Sequence, residues 1–118
     1  MLQTGLKHIL TEKDFQDTLA QNENVMICCG RMGPMCIPVY GVMEELEKTH
    51  THVAFRDMEF DGPIGHLIRE LPECRSFRGL PFTVYFKNGK AVKATTSIQN
   101  MGQVTEILDE QFSEKVAK

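Results

Sequence analysis

The chain has 118 residues, with 13 Lys or Arg against 16 Asp or Glu, for a formal charge of −3. That length predicts one domain, residues 1–118, able to build its core without staples. Mild acidity with no clustered Lys and Arg excludes a phosphate-tracking face, so nucleic acid is not an expected partner.

The opening stretch MLQTGLKHILTEKDF lacks an apolar core of signal-peptide length. No run approaches the about 20 apolar residues that a membrane-spanning helix needs. The expectation is a cytoplasmic protein in a reducing setting, whose four cysteines stand as thiols rather than as a disulfide framework.

Leu6 to Leu10 reads as a short edge strand. Thr11 then caps a helix, with Asp14 three residues on completing a capping box. Phe15, Thr18 and Leu19 share one face of that helix, which runs to about Gln21. Val25-Met26-Ile27-Cys28-Cys29 is a continuous apolar run between Asn24 and Gly30. Its length fits a strand buried on both faces.

The next segment, Gly30 to Cys36, reads GRMGPMC. Pro34 suits the first position of a helix, where a missing N–H costs nothing. The helix continues through Val39, Val42, Met43 and Leu46 to about Lys48, with a bend expected at Pro38 and Gly41. Val53 to Phe60 reads as a strand. Gly62-Pro63 opens a short helix through Leu71, which Pro72 stops. Phe82 to Phe86 is a strand by residue type, and Asn88-Gly89 is the turn favoured in two-residue hairpins. Ala91 to Thr95 returns as its partner. Asn100 caps a last helix with Val104, Ile107, Leu108 and Phe112 on one face. Alternating units of this kind build an α/β domain, a mixed central sheet with helices on both faces.

Two motifs in that order resemble the thioredoxin family. Met32-Gly33-Pro34-Met35 is similar to its Cys-Gly-Pro-Cys at the same strand–loop–helix junction. Arg78-Gly79-Leu80-Pro81, followed by FTVYFKNGK, is similar to its Gly-Ile-Pro segment, next strand and Lys-Asn-Gly turn. The likeness runs from about Leu6 to Phe112. It implies the thioredoxin fold, a cis Leu80–Pro81 bond beside the helix start, and pairing of the backbone before that proline with an extended substrate chain.

The departures fall on the chemistry. In the family, a cysteine thiolate at the helix start attacks a disulfide and a second cysteine resolves the product. Met32 and Met35 are thioethers with no proton to lose, and they cannot form a disulfide. The family's Trp before the motif is absent, because the chain contains no Trp; Arg31 stands there. The family's buried acid on the preceding strand has no counterpart in VMICC.

Four thiols remain to be weighed. Cys36 follows Met35, and one step along a helix turns a side chain by about 100°, so its thiol points away from the place of the missing cysteine. Packing or surface exposure is its plain role. Cys28 and Cys29 face opposite sides of their strand and pack into the two halves of the core. A Cys29–Cys36 pair is the competing arrangement, and Cys74 reads as a loop thiol without a role.

Met32, Met35 and Cys36 form a soft-sulfur set of the type that selects Cu(I), although loop methionines more often provide an adaptable apolar surface. His50 and His52 lack a third ligand, His8 and His66 carry no signal, and the Gly-Pro turn lacks phosphate-loop spacing. No cofactor and no resident metal is expected.

The reading is a binding or adaptor module. Met32, Gly33, Pro34 and Met35 form an apolar rim, to which Phe77 adds. Leu80 and Pro81 offer backbone to a protein or extended peptide segment. Its rival is an atypical thiol–disulfide oxidoreductase using Cys36, alone or with Cys29. A Cu(I)-handling protein comes third.

Overall fold

The computed structural model describes residues 4–72 and 79–112. Nine elements follow one another: β1 (Lys7–Ile9), α1 (Glu12–Gln21), β2 (Asn24–Gly30), α2 (Ile37–Leu46), β3 (Ala54–Glu59), α3 (His66–Arg69), β4 (Phe82–Lys87), β5 (Lys90–Thr96) and α4 (Met101–Gln111). The strands form one sheet in the order β1-β3-β2-β4-β5. β1, β3 and β2 run parallel, while β4 joins β2 antiparallel and β5 joins β4 antiparallel. The fold class is therefore the mixed α/β sheet expected from the alternation of elements.

The all-apolar look of β2 has its cause in this order. β2 lies at the centre, and all seven of its residues are buried. Side chains alternate across the sheet, so Met26 and Cys28 enter one half of the core while Val25, Ile27 and Cys29 enter the other. The first half is closed by Val39, Tyr40, Met43 and Leu46 of α2 and by Val104, Ile107 and Leu108 of α4. The second half is closed by Phe15 and Leu19 of α1 and Ile68 of α3. Phe15 meets Phe86 edge-on, with ring centroids 5.9 Å apart.

Local signals place the ends of these elements. Thr11 and Asp14 bond reciprocally as a capping box at the start of α1, and Asn100 and Gln103 do the same for α4. Each such cap contributes about 1 kcal/mol. The β4–β5 turn puts Asn88 at φ 54° and Gly89 at φ 82°. Both lie in the left-handed region that a two-residue hairpin of this twist requires. In β5, Val92 is passed over by the pairing, since Tyr85 faces Lys93 and Phe86 faces Ala91. It forms a one-residue bulge on the sheet edge.

α2 departs from the sequence expectation at its start. Pro34 is not its first residue; the helix begins at Ile37 with Cys36 as N-cap. The cause is Pro38. With no N–H, it cannot donate to the carbonyl of Pro34, so the ladder is interrupted one turn in. Gly33 O instead accepts from both Cys36 and Ile37 at 3.0 Å, closing a turn. The ladder resumes with Tyr40 N donating to Cys36 O at 3.2 Å. Pro38 thus lies in the first turn of α2, where it is tolerated, rather than bending the helix interior.

Candidate functional site

The site is assembled at the C-terminal end of β2, where three chain segments converge on Gly30. A Cβ added there would stand 2.8 Å from Cys36 Sγ, 2.9 Å from Tyr40 Oη and 3.3 Å from the Pro81 side chain. Only glycine leaves room for that approach. The Leu80–Pro81 bond is cis. Pro81 is buried and Leu80 is half-buried, packed against the α2–α4 side of the core.

Cys36 is buried, 2 % exposed. Its Sγ accepts the backbone N–H of Arg31 at 3.3 Å. The thiol therefore faces inward, under the loop. Met32 and Met35 are 42 % and 44 % exposed, Pro34 is exposed, and Gly33 is half-buried. The three soft sulfurs are thus divided between surface and interior, an arrangement that argues against their closing round one Cu(I) ion.

Arg31 is held through its backbone and its guanidinium. Besides its N–H bond, its carbonyl accepts from Tyr40 Oη at 3.1 Å. Its guanidinium grips Asp61 in a two-point pair, Nε to Oδ2 at 2.6 Å and Nη2 to Oδ1 at 3.0 Å. It also lies over the Phe60 ring, 5.6 Å from the centroid. Such a planar fork fixes geometry as well as charge, so the loop leading to Met32 is anchored to the segment after β3.

The competing Cys29–Cys36 pair does not fit this architecture. Cys29 belongs to the half of the core beyond the sheet, with Ile9, Met58 and Phe82, whereas Cys36 lies with Cys28 on the near side. The period of two along β2 decides which of the adjacent cysteines faces α2. Among the described residues, Cys28, Cys29 and Cys36 are all reduced thiols. Cys74, Phe77 and Arg78 lie outside the described residues.

Sequence reasoning missed four contributors. The first is Asp57, which is fully buried. It accepts from Thr4 Oγ1 at 2.5 Å and pairs with His8 Nδ1 at 2.6 Å. Burial pushes its carboxyl above the ordinary value. It stands beside Cys28 in the β2–β3 register, so this fold does carry a buried acid near the loop, supplied by β3 rather than β2. The signal was present, because Asp57 falls in phase with the inward Val53 and Phe55. The second is His8, whose only recognisable role comes from that partnership.

Ser97 and Ile98 are the third and fourth. Ser97 donates its N–H to the Pro81 carbonyl at 2.9 Å and adopts φ 71°. This bond ties the end of β5 to Pro81, and the next residue, Ile98, is 43 % exposed. Among the described residues, the exposed apolar side chains at this end include Met32, Met35, Ile37 and Ile98. At the other end of β2, a hollow lined by Gln16, Ala20, Asn22, Glu23 and Asn88 separates α1 from the hairpin and holds none of these residues.

Among the described residues, no group of three or more His, Cys, Asp or Glu is placed to hold a metal ion. His50 and His52 stack at 5.8 Å, and the nearest acid, Asp109, is 3.7 Å from His50 Nε2. No described helix is long and apolar enough to cross a membrane.

No family model matches the chain, and no curated protein matches its sequence. Its structure, however, superposes on solved thioredoxins. It is similar to oxidised thioredoxin from Plasmodium falciparum, at 20% identity over 90% of this chain and 97% of that one, with a TM-score of 0.73. It is similar to an N21Q mutant thioredoxin from Halobacterium salinarum, at 17% identity over 99% and 100%, with a TM-score of 0.77. It is also similar to thioredoxin f2 from Chlamydomonas reinhardtii, at 18% identity over 94% and 100%, again with a TM-score of 0.77. The chain has the thioredoxin fold.

Proposed function

We propose that this chain is a binding module on the thioredoxin fold, which receives an extended protein segment beside Pro81 and does not exchange disulfides through the adjoining loop. The observation that carries this reading is the division of sulfur at the site. The exposed positions Met32 and Met35 bear thioethers, and the thiol beside them, Cys36, is turned inward and 2 % exposed. Met32 and Met35 stand where the sequence resemblance puts the family's two cysteines. A thioether cannot ionise and attack a disulfide, but it adapts well to varied apolar partners. The Leu80 backbone then pairs with the guest chain in the manner of strand addition, and Ile98 widens the apolar border. A reducing, cytoplasmic setting suits the thiols Cys28 and Cys36.

The test is a panned library of linear, cysteine-free peptides. Without a thiol, no captured peptide owes its affinity to disulfide exchange. Peptides enriched on the wild-type chain should bind a Met35→Lys plus Ile98→Lys variant at least about tenfold more weakly, a loss of 1.4 kcal/mol or more. They should bind Cys36→Ala undiminished. Both charged substitutions fall at exposed positions and leave the core intact. Enriched peptides indifferent to the charged variant, or no enrichment at all, would overturn the reading.

A further inference from the structure

One feature of the core lies outside that surface. The register of the sheet aligns His8 with Asp57, Asp57 with Cys28, Cys28 with Thr83 and Thr83 with Thr95. Register partners point to the same face, so a polar row crosses all five strands. It lies on the side of the sheet covered by α2, in the half of the core that also holds Cys36 and Tyr40. Packing alone would fill such positions with aliphatic side chains, as it does for Ile27, Val84 and Met58 on the opposite face.

Cys36 lies beside the middle of this row, next to the end of β2. Its Sγ is 2.8 Å from the point a Gly30 Cβ would occupy. Gly30 is two residues from Cys28 and therefore on the same side of β2. The two sulfurs share one core cluster, and Cys36 is close enough to help burial raise the Cys28 thiol. The Thr83 hydroxyl is buried beside Cys28, and its hydrogen bond to that sulfur favours the thiolate. At the outer end of the row His8 is only partly buried, its side chain 20% exposed, and it touches Asp57 directly.

We propose that Cys28 and Cys36 are an internal dithiol that a small peroxide oxidises to a disulfide, with Asp57 and His8 as the route by which the Cys28 proton leaves. The Cys36 thiolate attacks one oxygen of hydrogen peroxide, breaking the O–O bond. This gives a sulfenic acid and a hydroxide, and the hydroxide takes the proton that Cys36 gave up, becoming water. Cys28 passes its proton to the Asp57 carboxylate, and His8 carries it to solvent. The Cys28 thiolate attacks the Cys36 sulfur and expels hydroxide, which is protonated to a second water. In sum, two thiols and one peroxide yield one disulfide and two waters, each sulfur losing one electron. Burial suits this chemistry to a small oxidant and closes it to a protein disulfide, so it is compatible with a silent surface.

Burial also holds the Cys28 thiol well above its ordinary range. Resolution of the sulfenic acid should therefore depend on Asp57. Asp57→Asn should leave formation of the sulfenic acid unchanged, as read by a dimedone probe, and slow disulfide closure at least about tenfold, a 1.4 kcal/mol effect on the barrier. A purely structural role for Asp57 would not separate those two steps, and equal slowing of both would remove it from the proposal.

The deciding experiment is a non-reducing tryptic map of the folded, peroxide-treated chain carrying Cys74→Ser. Cleavage at Lys13, Arg31 and Lys48 places Cys28 and Cys29 in one peptide, 14–31, and Cys36 in the next, 32–48. Thiol counting accompanies it, since exposed methionines also take up oxygen. The expected result is a 14–31/32–48 cross-link and a loss of two thiols per chain, reversed by a small thiol reductant. The cross-link should persist in Cys29→Ala and vanish in Cys28→Ala. No cross-link in the folded Cys74→Ser chain, or one that vanishes in Cys29→Ala and persists in Cys28→Ala, would overturn the proposal.

Discussion

The backbone N–H of Arg31 donates to the sulfur of Cys36 across 3.3 Å. That contact turns the thiol nearest the exposed loop toward the core and leaves thioethers at the surface. It depends on the close approach at Gly30, where Cys36, Tyr40 and Pro81 meet.

Gly30→Ala should therefore be costly. The new methyl would stand within 3.0 Å of two buried side chains that have little space to retreat into. Overpacking of this kind destabilises by about 1–3 kcal/mol. Gly33→Ala is the control, because its Cβ would meet nothing within 4 Å, and it should change stability by less than about 0.5 kcal/mol. Urea midpoints of the two variants make the comparison.

Ser97 carries a left-handed backbone, φ 71°, to aim its N–H at Pro81. Glycine takes that conformation without a Cβ penalty. Ser97→Gly should raise stability by up to about 1 kcal/mol, and Ser97→Val should lower it. A lower denaturation midpoint for the glycine variant would contradict the proposed geometry around the proline.

Asp57 gives stability a defined pH dependence. Burial raises its folded-state value above the ordinary 3.8, so the folded chain holds this proton to higher pH than the unfolded chain does. The stability of the wild type relative to Asp57→Asn is then greatest below about pH 3.8 and falls as pH rises through the raised value. Thermal midpoints of both proteins between pH 3 and 7 should show that difference narrowing upward from acid. A difference that grows with pH would mean that the Thr4 and His8 contacts outweigh desolvation.

Much of this architecture could be read from the chain because its signals are local. The Thr11–Asp14 and Asn100–Gln103 caps, the Asn88-Gly89 turn and the apolar run of β2 each reveal themselves within a few residues. The start of α2 was misplaced because two prolines compete: Pro34 suits a helix start, while Pro38 forbids the bond that would make it one. The roles of Asp57, His8 and Ser97 were hidden for another reason, although the phase of Asp57 with Val53 and Phe55 marks it as inward. Each acquires meaning only from a partner that the fold brings from a distant part of the chain, as β3 brings Asp57 beside Cys28. The direction in which Cys36 points likewise follows from the turn at Gly33, which helical spacing alone does not describe.

The most direct measurement is the rate at which the chain catalyses reduction of insulin disulfides by dithiothreitol. The account predicts a rate equal to that of dithiothreitol alone, and the same rate for Cys36→Ser. Catalysis well above that background by the wild type, abolished in Cys36→Ser, would show that the inward thiol reaches a protein disulfide and would contradict the central claim.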